Sequence, residues 1–441
     1  MNSILKCTAI TMLLTSLSVQ AIEKQLVDNK EKQSVTKNIA DLMKANYVFP
    51  KKGEEMAEQI TSHLSSGTYN SIHDPVKFAN LLTEQLIDIT QDKHIRVRFA
   101  PDVVKSIENE STDDGAQQEA EKRLQQLKRV NFGFEKIDIL AGNIGYLKLN
   151  NFFDTETAGD TAVAAMNFLA NTDALIIDLR ENGGGSPSMI QLISSYLFDA
   201  EPVYLNNFYW RPSDSYTQTW TLPHISGKRR PDVDVYVLTS NRIFSAAEEF
   251  TYNLKHLKRA TIVGETTGGG AHPGGVEVAG ERFTVWIPSG RAINPNTGTN
   301  WEGTGVNPDI ETSAGQALEQ AKFTALESLI DKAYDKQAKK YYQFVMTNIA
   351  AKLNPVTLSK ELLASYAGDY GNRELSFKDG QLLYQRKGTE NPRVLVPLSE
   401  TKFKISEIDN FQLEVLFENG KVVALQGLYQ DGYSDISHKV N

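Results

Sequence analysis

Cysteine is almost absent from this chain of 441 residues, since the single Cys7 lies near the start. Beyond residue 21 there is therefore no thiol, and disulfides and thiolate chemistry are excluded there. Positive charge is also scarce, because 46 Lys and Arg are set against 55 Asp and Glu, a net charge of −9. Nucleic acids and anionic membrane surfaces require a basic footprint, so neither is expected as the main partner.

Long hydrophobic runs are missing as well, apart from a short apolar stretch between Cys7 and Val19. Lys6 precedes this stretch, and Val19-Gln-Ala21 follows it with small or aliphatic residues suited to cleavage. The run is too short to span a bilayer. The sequence predicts a signal peptide over residues 1–21, no integral membrane segment after its removal, and a secreted or periplasmic protein.

Hydrophobic periodicity divides the remaining chain into four parts. Residues 22–130 show apolar residues at helical intervals and predict an N-terminal helical domain, in which Asp74-Pro75 is a helix start. Residues 131–311 alternate buried strands with helices, which predicts an α/β core with a largely parallel sheet. Helical periodicity over 312–354 predicts a connector. Short alternating segments and Asp-Gly or Asn-Gly turns over 355–441 predict a small antiparallel β domain.

Two turns in the α/β core carry residues typical of a reaction site. Gly183, Gly184 and Gly185 follow a buried strand, so consecutive amides can converge on an anion, although a simple tight turn also fits. Ser245 follows another strand and begins a helix, where a serine is most often only an N-cap. Both turns are expected at the same edge of a parallel sheet, which is where sites form.

Four motifs in order resemble the tail-specific, or C-terminal processing, serine peptidases. The branch containing the tricorn protease core and the interphotoreceptor retinoid-binding protein repeats is more similar still, and Asn46-Tyr-Val-Phe-Pro50 and Asp92-Lys-His94 fit that branch. The resemblance covers about residues 35–311 and implies a ClpP/crotonase-like fold of ββα units. The motifs are Asp178-Leu-Arg-Glu-Asn-Gly-Gly-Gly185, Phe244-Ser-Ala-Ala-Glu-Glu249, Gly264-Glu-Thr-Thr-Gly-Gly-Gly270 and Glu302-Gly-Thr-Gly-Val-Asn-Pro-Asp309.

The resemblance also implies roles for single residues. Ser245 is the expected nucleophile, His94 its base and Glu302 the carboxylate that orients the site. The processing branch instead uses a lysine base in a Gly-Lys-Gly context, but here that stretch reads Gly268-Gly-Gly-Ala271. Lys93 stands where the tricorn-like tetrad has a serine, so the fourth member of the tetrad is not assigned.

Other residues complete the expected site. The backbone amides of Gly184 and Ala246 are expected to form the oxyanion hole. His272, on the Gly-rich loop, is the rival base to His94. Neither a metal nor an organic cofactor is expected, since no His, Asp or Glu cluster has ligand spacing along the sequence.

The sequence thus predicts a secreted serine endopeptidase that hydrolyses polypeptides through an acyl-enzyme on Ser245. Two alternatives remain open at this stage. The same fold could bind an apolar ligand without chemistry, as the resemblance to retinoid-binding repeats allows. The same constellation could also cleave esters or thioesters.

Overall fold

The computed structural model describes residues 26–110 and 113–440. The predicted signal peptide and Cys7 lie outside the described residues. Within the described ranges, no helix combines the length and apolar character needed to cross a bilayer.

The N-terminal region begins with three helices, as the periodicity predicts. The Asp74 carboxylate accepts hydrogen bonds from the N–H groups of Val76 and Lys77, so it caps the third helix, and Pro75 is its first residue. Two further helices follow before the α/β core. The five helices are α1 (Asn29–Asn46), α2 (Pro50–Ser65), α3 (Pro75–Thr90), α4 (Pro101–Asn109) and α5 (Asp113–Arg129).

A strand interrupts this helical region, which the sequence analysis does not predict. Strand β1 (Arg96–Phe99) pairs in antiparallel fashion with β10 (Phe283–Pro288), which in turn pairs with β9 (Gly274–Gly280). Helices α1 to α3 bury one apolar cluster together with β1, β9 and β10. The N-terminal region is therefore packed into the α/β core rather than separate from it.

The core is a six-stranded sheet in the order β12-β8-β7-β4-β3-β2. All neighbouring strands are parallel except the β2–β3 hairpin. Every residue of β4 is buried, because helices cover both faces of the sheet. The strands are β2 (Phe134–Leu140), β3 (Ile144–Leu149), β4 (Ala174–Asp178), β7 (Asp234–Thr239), β8 (Thr261–Gly264) and β12 (Ile310–Glu311).

Helices α6 (Thr155–Phe168), α7 (Pro187–Ser195) and α8 (Ala246–His256) cover one face of the core sheet. Helices α9 (Ala317–Lys332) and α10 (Lys336–Leu353) cover the other face, so the predicted connector packs on the sheet. A second three-stranded sheet, also not predicted, lies within the core segment. It consists of β5 (Tyr204–Trp210), β6 (Ser215–Trp220) and β11 (Gly290–Ile293).

The C-terminal region contains a short helix, α11 (Lys360–Ser365), and one eight-stranded antiparallel sheet whose strands follow chain order. It has its own apolar cluster. The predicted fold class is confirmed: a mixed α/β protein with an N-terminal helical region, a core sheet and a C-terminal antiparallel sheet. The eight strands are β13 (Gly368–Tyr370), β14 (Arg373–Lys378), β15 (Gln381–Arg386), β16 (Arg393–Pro397), β17 (Lys402–Ile405), β18 (Phe411–Glu418), β19 (Lys421–Tyr429) and β20 (Ser434–His438).

Candidate active site

Ser245 lies on the turn between strand β7 and helix α8, at the carboxyl edge of the core sheet. Its backbone angles are φ 55° and ψ −124°, a region that non-glycine residues rarely adopt. Such strain costs on the order of 1–3 kcal/mol and persists where the surroundings enforce it, typically at reaction sites. A sharp strand-to-helix turn of this kind exposes a serine hydroxyl to a substrate.

A buried carboxylate holds this turn in place. Glu248 accepts hydrogen bonds from the N–H of Ser245 at 3.0 Å, Gly269 at 2.6 Å and Gly270 at 2.8 Å, and from the Thr267 hydroxyl at 2.5 Å. Burial raises its pKa although these donors favour the charged form. The nucleophile turn and the Gly-rich loop are thereby fixed relative to each other.

The glycine turn after β4 touches Ser245 directly. Gly184 has φ +111°, and a Cβ there would lie 2.9 Å from the Ser245 Cβ. Its N–H donates to the Asn182 Oδ1 at 2.8 Å, so the expected oxyanion donor is already engaged. Among the described residues, the N–H groups of Gly185 and Ala246 have no hydrogen-bond partner. The Gly184 N–H is thus engaged in this structure, whereas the N–H groups of Gly183 and Gly185, which also line the cavity, are free among the described residues.

His94 lies two residues before the start of strand β1 and contributes to the same cavity as Ser245. Its ring packs against Phe244, with centroids 4.4 Å apart. The Nδ1 atom lies 3.7 Å from the Asp92 Oδ1, and neither ring nitrogen has a hydrogen-bond partner within the described chain. A buried imidazole with unsatisfied nitrogens is available to take a proton from a neighbouring hydroxyl.

Asp92 connects His94 to the second histidine. The Asp92 Oδ2 lies 2.8 Å from the His272 Nδ1, and it also accepts from the Tyr47 hydroxyl at 3.3 Å. Burial opposes ionisation of Asp92, but the hydrogen bond with the His272 ring, the hydrogen bond from the His94 backbone N–H and the closeness of both imidazoles outweigh it, so its pKa lies below its usual range. Asp92 is thus an ionised carboxylate shared between two imidazoles.

Glu302 belongs to the same cluster. Its Oε2 lies 3.5 Å from the His272 Nδ1 and accepts from the Ala271 N–H at 2.5 Å. Burial, and then the nearby Asp92 charge, raise its pKa. Unlike Ser245 and His94, the residues Asp92, His272 and Glu302 do not line the cavity.

Asp92, His272 and Glu302 come close enough to coordinate a small cation, although sequence spacing gives no sign of this. Their ligand atoms lie within 4.8 Å of one another. Two ligand atoms on one tetrahedral ion are separated by about 3.3 Å. The 2.8 Å contact between His272 and Asp92 is shorter and has hydrogen-bond geometry, so hydrogen bonding accounts for the arrangement without an ion.

The cavity beside Ser245 has a volume of about 720 Å³, within the range of pockets that hold small ligands or side chains. Its wall combines a ring of aromatic side chains, three exposed cations and one buried carboxyl group. Lys93, one of the cations, donates to the Gly268 carbonyl at 2.6 Å and so braces the Gly-rich loop. The aromatic residues are Phe208, Trp210, Phe244, Trp286 and Trp301; the charged ones are Lys93, Arg96, Arg98 and Glu249.

Two family models match consecutive parts of the chain. Residues 143–312 match peptidase family S41, and residues 24–140 match the N-terminal domain of that family in eukaryotic IRBP. The chain belongs to peptidase family S41. The family predicted from the four motifs is therefore confirmed, including the branch indicated by the helical part.

Curated relatives carry compatible names. A protein of Staphylococcus aureus strain N315, "Probable CtpA-like serine protease", is 25% identical over 263 residues, which cover 55% of this chain and 49% of the relative. Its counterpart in strain COL is 24% identical over the same length. The chain thus spans about half the length of the curated relatives it matches. Family and names support a serine-type peptidase as the enzyme class.

Solved structures also resemble parts of the chain. The photosystem II D1 C-terminal processing protease is 23% identical, covers 39% of this chain and 43% of its own, and has a TM-score of 0.33. The tricorn protease is 14% identical, covers 68% of this chain and 37% of its own, and has a TM-score of 0.44.

Proposed function

We propose that this S41 chain is a serine endopeptidase that forms an acyl-enzyme on Ser245. The observation that carries the proposal is the strained turn that presents Ser245 to a cavity also lined by His94. An unstrained N-cap serine would satisfy the helix equally well, so the strain is explained by a demand on the hydroxyl.

In the proposed first step, His94 removes the hydroxyl proton as the Ser245 oxygen attacks the scissile carbonyl carbon. The ionised Asp92 stabilises the resulting imidazolium, since its Oδ1 lies 3.7 Å from the His94 Nδ1. The carbonyl oxygen becomes an oxyanion, for which the free N–H groups of Ala246 and Gly185 are the candidate donors. Each such donor contributes about 3–4 kcal/mol in well-studied enzymes.

Collapse of the tetrahedral intermediate breaks the C–N bond, and the imidazolium donates its proton to the leaving amine. Water then attacks the acyl-enzyme, with His94 again as the base, and releases the acid and free Ser245. Lys93 does not replace the serine of the tricorn-like tetrad in this scheme. Asp92, bonded to His272 and close to Glu302, takes over the supporting role.

A polypeptide is the proposed substrate, and export remains part of the proposal. Export is supported by the apolar stretch and cleavage-like residues before Ala21. Sequencing the amino terminus of the mature protein tests it, and an uncleaved Met1 would contradict it.

Ser245→Ala tests the proposal. We expect hydrolysis of unfolded casein to be lost. The free energy of unfolding should fall by no more than about 1 kcal/mol, which is the typical contribution of a helix cap. A fluorophosphonate probe should label the parental protein and not the variant. Parental turnover by Ser245→Ala would exclude Ser245 as the nucleophile.

The same assay separates the two alternatives. Absence of labelling in the parental protein would favour an apolar-ligand-binding protein, in which the serine has no reactivity. Labelling together with turnover of small esters, but not of casein, would favour an esterase or thioesterase.

A further inference from the structure

One carboxyl group in the cavity has no role in the chemistry described above. Glu249 is in the first turn of helix α8, four residues after Ser245, which is the N-cap of that helix. Both line the cavity, although Glu249 is only 3% exposed. Its Oε1 has no hydrogen-bond partner among the described residues, and such an atom normally awaits one.

Two buried amides next to Glu249 are also incompletely satisfied. The Asn206 Oδ1 accepts from the Asn207 N–H, and the Asn253 Oδ1 accepts from the Asn294 side chain. The Nδ2 groups of Asn206 and Asn253 lie beside the Glu249 carboxyl group, but neither makes a hydrogen bond of good geometry with it or with another residue in the described part of the chain. Burial raises the pKa of Glu249 to about 7, although both asparagines favour its charged form. The group is therefore poised for a cationic partner that would hold it ionised.

We propose that Glu249 determines specificity, and that the cavity takes a lysine or arginine side chain from the residue before the scissile bond. This inference rests on the proposed peptidase function. Four helical residues span about 6 Å along the axis, a distance suited to the four-carbon stem of lysine or the longer stem of arginine. The aromatic rings of Phe208, Trp210 and Trp301 can cover that stem and attract its cationic end.

The cations in the cavity wall favour an acidic substrate residue, whereas Glu249 favours a basic one, so the strengths of these two electrostatic interactions must be compared. Lys93, Arg96 and Arg98 are solvent-exposed, and exposed charges are screened and contribute about 1 kcal/mol or less. Glu249 is buried, where a charge interaction is much stronger. An acidic side chain would be repelled by Glu249, and an apolar one would leave its carboxyl group unpaired. The buried Glu249 therefore determines which substrate side chain the cavity prefers.

The first test compares matched peptides that differ only in the residue before the scissile bond. For the parental protein we expect kcat/KM with lysine or arginine to exceed that with methionine or glutamine by about tenfold or more. Glu249→Gln should reduce this ratio at least about tenfold. Glu281→Gln, an exposed change outside the cavity, should leave it unchanged. An equal fall for all peptides in Glu249→Gln would mean a structural role and overturn the inference.

A second measurement requires neither catalytic turnover nor a substituted protein. Butylguanidinium and its neutral isostere butylurea are titrated calorimetrically into the parental protein, with and without fluorophosphonate blocking Ser245. We expect the cation to bind at least about tenfold more tightly and to compete with the probe. Equal binding overturns the inference. If the protein is labelled by the probe and cleaves peptides but does not prefer lysine or arginine before the scissile bond, the inference is overturned and the peptidase function stands. If the protein is neither labelled nor able to cleave peptides, the peptidase function is rejected, and the calorimetry still tests whether Glu249 binds a cation.

Discussion

The two regions that flank the core sheet are attached to it in different ways. The N-terminal helices share one apolar cluster with β9 and β10, and their segment supplies Asp92 and His94 to the site. The C-terminal sheet has its own apolar cluster and meets helix α10 through polar contacts, such as those of Gln412 with Phe344 and of Asn348 with Asp409. Of the described residues beyond 354, none lines the cavity. The region that shares an apolar cluster with the α/β segment is thus the one that contributes residues to the candidate site.

Removal of the proposed base is the strongest test of the difference between the two regions. His94→Ala should lower kcat/KM by about a thousandfold or more, because the serine hydroxyl then has no proton acceptor. His438→Ala, an exposed change on β20 of the C-terminal sheet, should have no measurable effect. Both variants are assayed on one peptide after circular dichroism confirms their folding. If His94→Ala is active and His272→Ala inactive, the base is His272 and the assignment fails.

Changes in the cluster behind His94 should have intermediate effects. Asp92→Asn keeps the shape but removes the charge that stabilises the imidazolium, so we expect a fall in kcat of about a hundredfold. Glu302→Gln should cost less, about tenfold, since Glu302 reaches His94 only through the other members. His272→Ala should cost least of the three. An Asp92→Asn variant as active as the parent would remove Asp92 from the mechanism.

A matched pair of core truncations gives the smallest expected effect on catalysis. Ile95 and Leu413 are both fully buried, one beside His94 and the other in β18. Each change to alanine should lower the free energy of unfolding by about 2–5 kcal/mol. Only Ile95→Ala should also lower kcat/KM, by several-fold, because it loosens the backbone that carries His94. The comparison would be contradicted if Leu413→Ala impaired turnover equally at a temperature where both proteins are folded.

Local sequence signals predict much of this molecule. Buried strands followed by glycine or serine turns are readable over a few residues, and hence the core sheet and the turns carrying Gly184 and Ser245 follow the expectation. The short strand β1 is not readable, because Arg96-Val-Arg-Phe99 has one buried residue in its centre and pairs with a strand far along the chain.

The supporting cluster is beyond local reading for a related reason. Asp92 contacts His272 across 180 positions of sequence, and no spacing rule connects them. The motif Asp92-Lys-His94 identifies the segment, but it does not show whether Asp92 is a solvated loop carboxylate or a hydrogen-bond partner of the histidines. Glu249 gives no signal at all, since an acidic pair at the start of a helix is usually solvated. Burial alone distinguishes Glu249, and burial is a property of the fold.

The pairing of β1 with β10 has a consequence for biosynthesis. His94 is translated about 150 residues before Ser245. Strand β10, which pairs with β1, and Glu302 are translated after Ser245. A ribosome adding about 5–20 residues per second takes many seconds to cover that interval. Until then the imidazole and the serine cannot meet in a cavity. In the proposed mechanism, a nascent chain therefore cannot cleave its neighbours or itself before β10 has been synthesised, because β1 has no partner strand until then.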